Sequence, residues 1–221
     1  MTQAITDALG EASSAFDRIR NDLNFADSRF TRDPRERDRI ACLNASAYIW
    51  LASIVERFIK RALSSILDEI NAREVHREHI KYSLFALAVA SELDSMENSK
   101  KLKKWRQRAK AFRSVTDPTP VVFNTAVIPI DGRTIRGDHL ETIWETLGLS
   151  GDHVPHPRCK LALSDLAEGR NNLAHGEIDP VAFGRRETIS DMRRLVDTIE
   201  DVVFHVCEAS QRYLANNEYI R

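Results

Sequence analysis

The sequence predicts an all-α protein, an up-and-down helical bundle with one long irregular insertion. Three observations carry that prediction. Gly and Pro are few, 8 and 7 in 221 residues. Long segments repeat apolar residues at spacings of three and four, the period of a helix with one buried face. The helical pattern breaks in one long stretch, residues 117–138, where three prolines, two glycines and short β-branched runs come together.

The elements follow in order. Ile5, Leu9, Ala12, Phe16, Ile19 and Leu23 describe one stripe of a first helix, which TRDPRERDR interrupts with a proline and dense charge. Pro34 fits the start of the next helix. That second helix runs to about Val75, and its centre, ASAYIWLASIVERFIKRALSSIL, is apolar nearly all round, so it should lie at the middle of the bundle. A third helix covers EHIKYSLFALAVASELDSM, and KKLKKWRQRAKAF continues helically. DPTPVVFNTAVIPIDGRTIRGD, residues 117–138, reads as a loop insertion with a short hairpin. HLETIWETLGL is a short amphipathic helix with Gly148 as its stop, SGDHVPHPRC is loop, and a helix around LALSDLAEGRNNLAH follows. The last long helix, from about Arg186 to Asn216, aligns Ile189, Met192, Val196, Ile199, Val203, Val206 and Cys207 on one face. No internal repeat interrupts this order, and residues 1–221 read as one domain, with the helix in residues 1–33 as an accessory element.

Composition bounds the function classes. Hydrophobic residues make up 43% of the chain, enough for a sizeable core, while 33 acidic residues nearly cancel 32 basic ones. Global charge therefore announces neither a nucleic acid nor a membrane, and any electrostatic signal must be local. Cys42, Cys159 and Cys207 are odd in number and lack paired spacing, which fits a reducing compartment, the cytoplasm. The start, MTQAITDALGEASSAFDRI, carries acids where a signal peptide needs an apolar run, and no later run suits a bilayer span.

One short stretch points to chemistry. RNNLAHGE, residues 170–177, places Asn171 and His175 four apart, on one helix face, with Arg170 long enough to reach the same point. An imidazole gives or takes a proton near neutral pH, a guanidinium offers a planar fork for a phosphate, and an amide can hold either in place. Those groups suffice to cleave RNA without a metal: deprotonate a ribose 2′-hydroxyl, steady the pentavalent phosphate, protonate the leaving oxygen. The same residues also suit a plain helix terminus, since cations favour the last turn and Gly176 is an ordinary C-cap.

Arg170, Asn171 and His175, followed by Gly176, resemble the signature of the HEPN family, Arg then a polar residue, a few more, then His. The order of helices over roughly residues 36–217 resembles a bacterial subgroup related to the RiboL-PSP-HEPN and MAE-type HEPN-like nucleases. That resemblance implies an all-α domain that pairs as a homodimer with two Arg/His motifs facing across a two-fold axis. It implies a metal-independent endoribonuclease without cofactor, an effector of toxin-antitoxin or phage-defence systems with a cognate antitoxin among its partners. Other members of the family are inactive modules that bind RNA or a partner protein. A dimer also suits the chemistry, because one imidazole cannot readily serve as base and acid on opposite sides of a phosphate. The family's counterpart of the second helix often carries an acid where Glu56 stands, so Glu56 is a candidate to brace Arg170.

Residues 100–113, KKLKKWRQRAKAFR, hold eight basic residues and no acid. Lys100, Lys101, Lys103, Lys104 and Arg106 are candidates for gripping RNA phosphates, and Trp105 for stacking on a base. The alternative is a solvated basic helix whose aromatics pack inward. His153, His156 and Cys159, and likewise His76 and His79, have ligand-like spacing, but neither group supplies a full tetrahedral set, so no metal is assigned. His205, on the last helix, reads as a packed or surface histidine.

Overall fold

A computed structural model describes residues 2–30, 33–97, 100–130 and 134–221. Among them are nine α-helices and no strand: α1 (Gln3–Phe30), α2 (Arg37–Ala72), α3 (Tyr82–Ala88), α4 (Ala90–Glu97), α5 (Lys101–Arg113), α6 (Gly137–Leu147), α7 (Pro157–Ala174), α8 (Pro180–Gly184) and α9 (Ile189–Ala215). Short 3-10 turns lie at Pro34–Glu36, Arg77–His79 and Ser114–Thr116. No helix among the described residues is long and apolar enough to cross a membrane.

The bundle is built on α2. Its buried residues run from Ala41 to Ile70 and point in several directions because α1, α7, α8 and α9 all pack against it. α1 is part of this core: Ile5, Phe16, Ile19 and Leu23 are buried, and the helix lies antiparallel to α9, tied by Arg20 to Asp197 and Glu200 and by Arg193 to Asp27. α9 buries the face expected of it and starts with Thr188 and Asp191 capping each other. α6 ends at Gly148, whose φ of 68° a side chain would resist.

Three local expectations change. The third helix bends at Val89: α3 buries Leu84 and Phe85, and α4 turns off to pair with α5, while Val89 still bonds Phe85 and Leu93 along the backbone. The insertion contains no hairpin among its described residues; residues 131–133 lie outside them. It runs along α2 as an extended strap instead, because helix side chains satisfy its backbone. Asn71 bonds both N–H and carbonyl of Phe123, at 2.8 and 2.9 Å, and Ser64 donates to the Thr125 carbonyl at 3.0 Å. Val121, Phe123 and Ile135 of the strap are buried.

The third difference is α8, a short helix that Asp179 caps by accepting from the Ala182 N–H at 2.9 Å. It meets α2 so closely that a Cβ on Gly184 would fall on the Ala41 carbonyl. Buried Asn44 fixes the junction by donating to the Gly184 and Glu187 carbonyls at 3.2 and 2.9 Å.

Candidate functional site at the end of α7

α7 begins at His156, whose ring nitrogen accepts from the Arg158 N–H at 3.1 Å, and Pro157 fits its first turn. Its far end is a Schellman arrangement. Gly176 at φ 68° lets its own N–H reach the Leu173 carbonyl at 3.3 Å and the Glu177 N–H reach the Asn172 carbonyl at 3.0 Å. His175 is the capping residue, exposed, with its backbone N–H on the Asn171 carbonyl at 3.0 Å. The segment is thus a helix terminus, and that is what presents its side chains. Carbonyls of the last turn make this end of the helix electronegative.

Arg170 and Asn171 are half-buried, and the Arg170 guanidinium donates to the Asn171 side-chain oxygen at 3.2 Å. Thr134, buried in the strap, donates to the same oxygen at 3.4 Å. The amide oxygen therefore positions the cation, and the strap positions the amide. Gly169 sets the height of the helix. A Cβ there would come within 2.6 Å of the Tyr48 ring and 2.7 Å of Phe183, so only glycine lets α7 sit this close to α2 and α8. Tyr48 and Phe183 pack edge to face with centroids 4.9 Å apart.

Beneath this contact lies a group of acids. Burial pushes the Tyr48 phenol well above its ordinary range, and Glu187, Asp165 and Asp191 push it further. Burial also raises the Glu187 carboxyl, reinforced by Asp191 and Asp165, while its contact with Tyr48 pulls the other way. A cleft of about 690 Å³ opens beside Gly184 and Glu187, with Arg37, Arg185 and Arg193 on its walls.

The family described as MAE_28990-like HEPN matches residues 4–219. This chain belongs to the HEPN family. No curated protein and no solved structure matches it. The family match spans α1, which packs on α2 and α9, as well as the later helices.

Arg170, Asn171 and His175, the residues that resemble the family signature, share one helix end, while the other candidates lie elsewhere. Glu56 is half-buried on α2, and among the described residues no hydrogen bond or ion pair joins it to Arg170. α7 meets α2 at Tyr48, and Glu56 is two turns, about 12 Å, further along α2, so the guanidinium turns to Asn171 instead. Lys100, Lys101, Lys103 and Arg106 are exposed on and beside α5, whereas Lys104 is half-buried on its inner side. Trp105 is exposed too, with the Arg108 guanidinium over its ring at 5.0 Å, so its indole is no part of the core.

The histidine groups divide as well. His156 caps α7 and Cys159 is buried near the Thr198 carbonyl, so those residues serve helix packing. The ligand atoms of His76, Glu78 and His79 lie within 4.8 Å of one another on the turn after α2, at the opposite end of that helix from the motif. His205 stacks on Trp144 at 5.6 Å and bonds the Asp152 carbonyl at 2.7 Å. Tyr48, Thr134, Gly169 and Glu187 did not stand out in the sequence as parts of this site. Of these only Gly169 left a trace, a glycine inside a helical pattern, which usually marks close packing.

Proposed function

We propose that this HEPN domain is a metal-independent endoribonuclease that works as a homodimer, an effector of a toxin-antitoxin or phage-defence system. The observation that carries the reading is the placement of Arg170 and His175 at one open helix end, with Asn171 holding the guanidinium at 3.2 Å. His175 takes the proton of a ribose 2′-hydroxyl, whose oxygen attacks the adjacent phosphorus. Arg170 bears the charge that grows on the phosphate oxygens. His175 of a second copy, facing the first across a two-fold axis, gives its proton to the departing 5′-oxygen. The products are a 2′,3′-cyclic phosphate and a 5′-hydroxyl. The exposed cations Lys100, Lys101, Lys103 and Arg106 draw RNA towards the domain by counterion release. A cognate antitoxin would restrain the enzyme by covering the motif.

The test is cleavage of an RNA in EDTA beside the same strand carrying a single 2′-deoxy nucleotide at the cut. The reading expects the all-RNA strand to be cut, leaving cyclic phosphate ends, and the substituted strand to survive at that position. Cleavage of both, or loss of activity on chelation, overturns it.

A further inference from the structure

Helix α5 carries a signal that RNA binding leaves unexplained. Leu102, Trp105, Ala109 and Phe112 recur at spacings of three, four and three, the a and d positions of a heptad. In a globular helix such a stripe faces the core. Here it faces away: Leu102 is 78% exposed, Trp105 59% and Phe112 77%, while the buried residue of the helix, Ala111, lies on the other side. Gln107 also turns inward, bonding Ser95 on α4 at 3.1 Å. Single exposed apolar residues are ordinary, but a stripe in heptad register over about 15 Å is the geometry of a helix awaiting another helix.

Charge says which helix. Lys101 and Arg108 flank the stripe on one side and Arg106 and Arg113 on the other, the positions that face a partner's flanks in paired helices. Among the described residues none of these four is paired with a carboxylate. A second copy of α5 would set cation against cation. A base would find one face of the Trp105 ring already covered by Arg108, and it could use neither Leu102 nor the spacing. A helix with aliphatic residues along its centre and Glu or Asp on both flanks satisfies the stripe and the four cations together.

We propose that the outward face of α5 docks an acidic amphipathic helix of a partner protein. The inference stands on α5 alone and holds whether or not Arg170 and His175 cut RNA. It carries a regulatory consequence, because the docked helix occupies cations that would otherwise attract RNA, so partner and RNA exclude each other on α5.

The experiment titrates the full chain with a synthetic helix of about three heptads, Leu at a and d and Glu at e and g, and measures heat of binding. One-to-one binding is expected, weakened at least ~10-fold by Leu102→Ser with Phe112→Ser, and similarly by Gln at the four flanking cations. The melting temperature should not change, since these side chains are exposed. A peptide with Ser at a and d should not bind. Absence of binding by the Leu peptide, or equal binding by the Ser peptide, overturns the proposal. So does an oligouridylate whose affinity falls equally in the Ser variant, which would assign the stripe to RNA. Sedimentation in which that variant turns a parental dimer into a monomer would assign the stripe to a second copy and overturn it too.

Discussion

Thr134 donates its hydroxyl to the side-chain oxygen of Asn171 at 3.4 Å, across 37 residues of chain, and that oxygen also holds Arg170 at 3.2 Å. An irregular strap thus steadies the motif's cation through one amide. Thr134→Val keeps the shape and removes the donor, so the cleavage rate at saturating RNA should fall about tenfold with little change in KM. Thr134→Ser should restore it. A Val variant that cuts at the parental rate would show that the strap only packs.

The parts of this fold that were legible in the sequence are those decided locally. An apolar-all-round α2, a one-faced α9 and a glycine stop at Gly148 each follow from a few neighbouring residues. The bend at Val89, the five-residue α8 and the strap's course depend on what lies across the bundle, Asn71 and Asn44 above all. Arg170, Asn171 and His175 could be grouped from the sequence because their spacing lies within one helix and its cap. The pairing of Glu56 with Arg170 required a register between two helices that spacing alone does not define. Whether the aromatics of residues 100–113 pack inward or face out was open for a related reason: a buried stripe and an exposed one have the same period.

Two glycines should respond oppositely to alanine. At Gly169 the added methyl meets the Tyr48 and Phe183 rings at 2.6 and 2.7 Å, so Gly169→Ala should cost about 1 to 3 kcal/mol in denaturant unfolding. At Gly10, exposed in α1, a Cβ meets nothing within 4 Å, and Gly10→Ala should add about 0.5 to 1 kcal/mol. Equal responses would remove the argument that Gly169 sets how closely α7 approaches α2.

Glu187 predicts a pH dependence. Its carboxyl is raised in the folded chain by burial and by Asp191 and Asp165, so the native state holds that proton more tightly than the unfolded chain. Stability from this group is therefore present at acid pH and is lost as pH rises through the folded pKa, which lies above the group's ordinary value. Glu187→Gln should raise the melting temperature at pH 7, and the advantage should disappear at acid pH where Glu187 is itself protonated. A variant that is less stable at pH 7 would mean that the ionised carboxylate supports the fold, contrary to this sign.

On the proposed function, His175 and Arg170 perform chemistry at the end of α7. Single-turnover cleavage at saturating RNA, in EDTA, for the parent, His175→Ala and Arg170→Lys tests it most directly. His175 is exposed, and alanine keeps the backbone N–H that closes the helix on the Asn171 carbonyl, so the variant should melt where the parent does. Its rate should drop at least ~100-fold, the scale of lost general acid-base catalysis. Arg170→Lys should be similarly impaired, because a point charge does not replace a planar fork. A folded His175→Ala protein that cuts RNA at the parental rate would contradict the account.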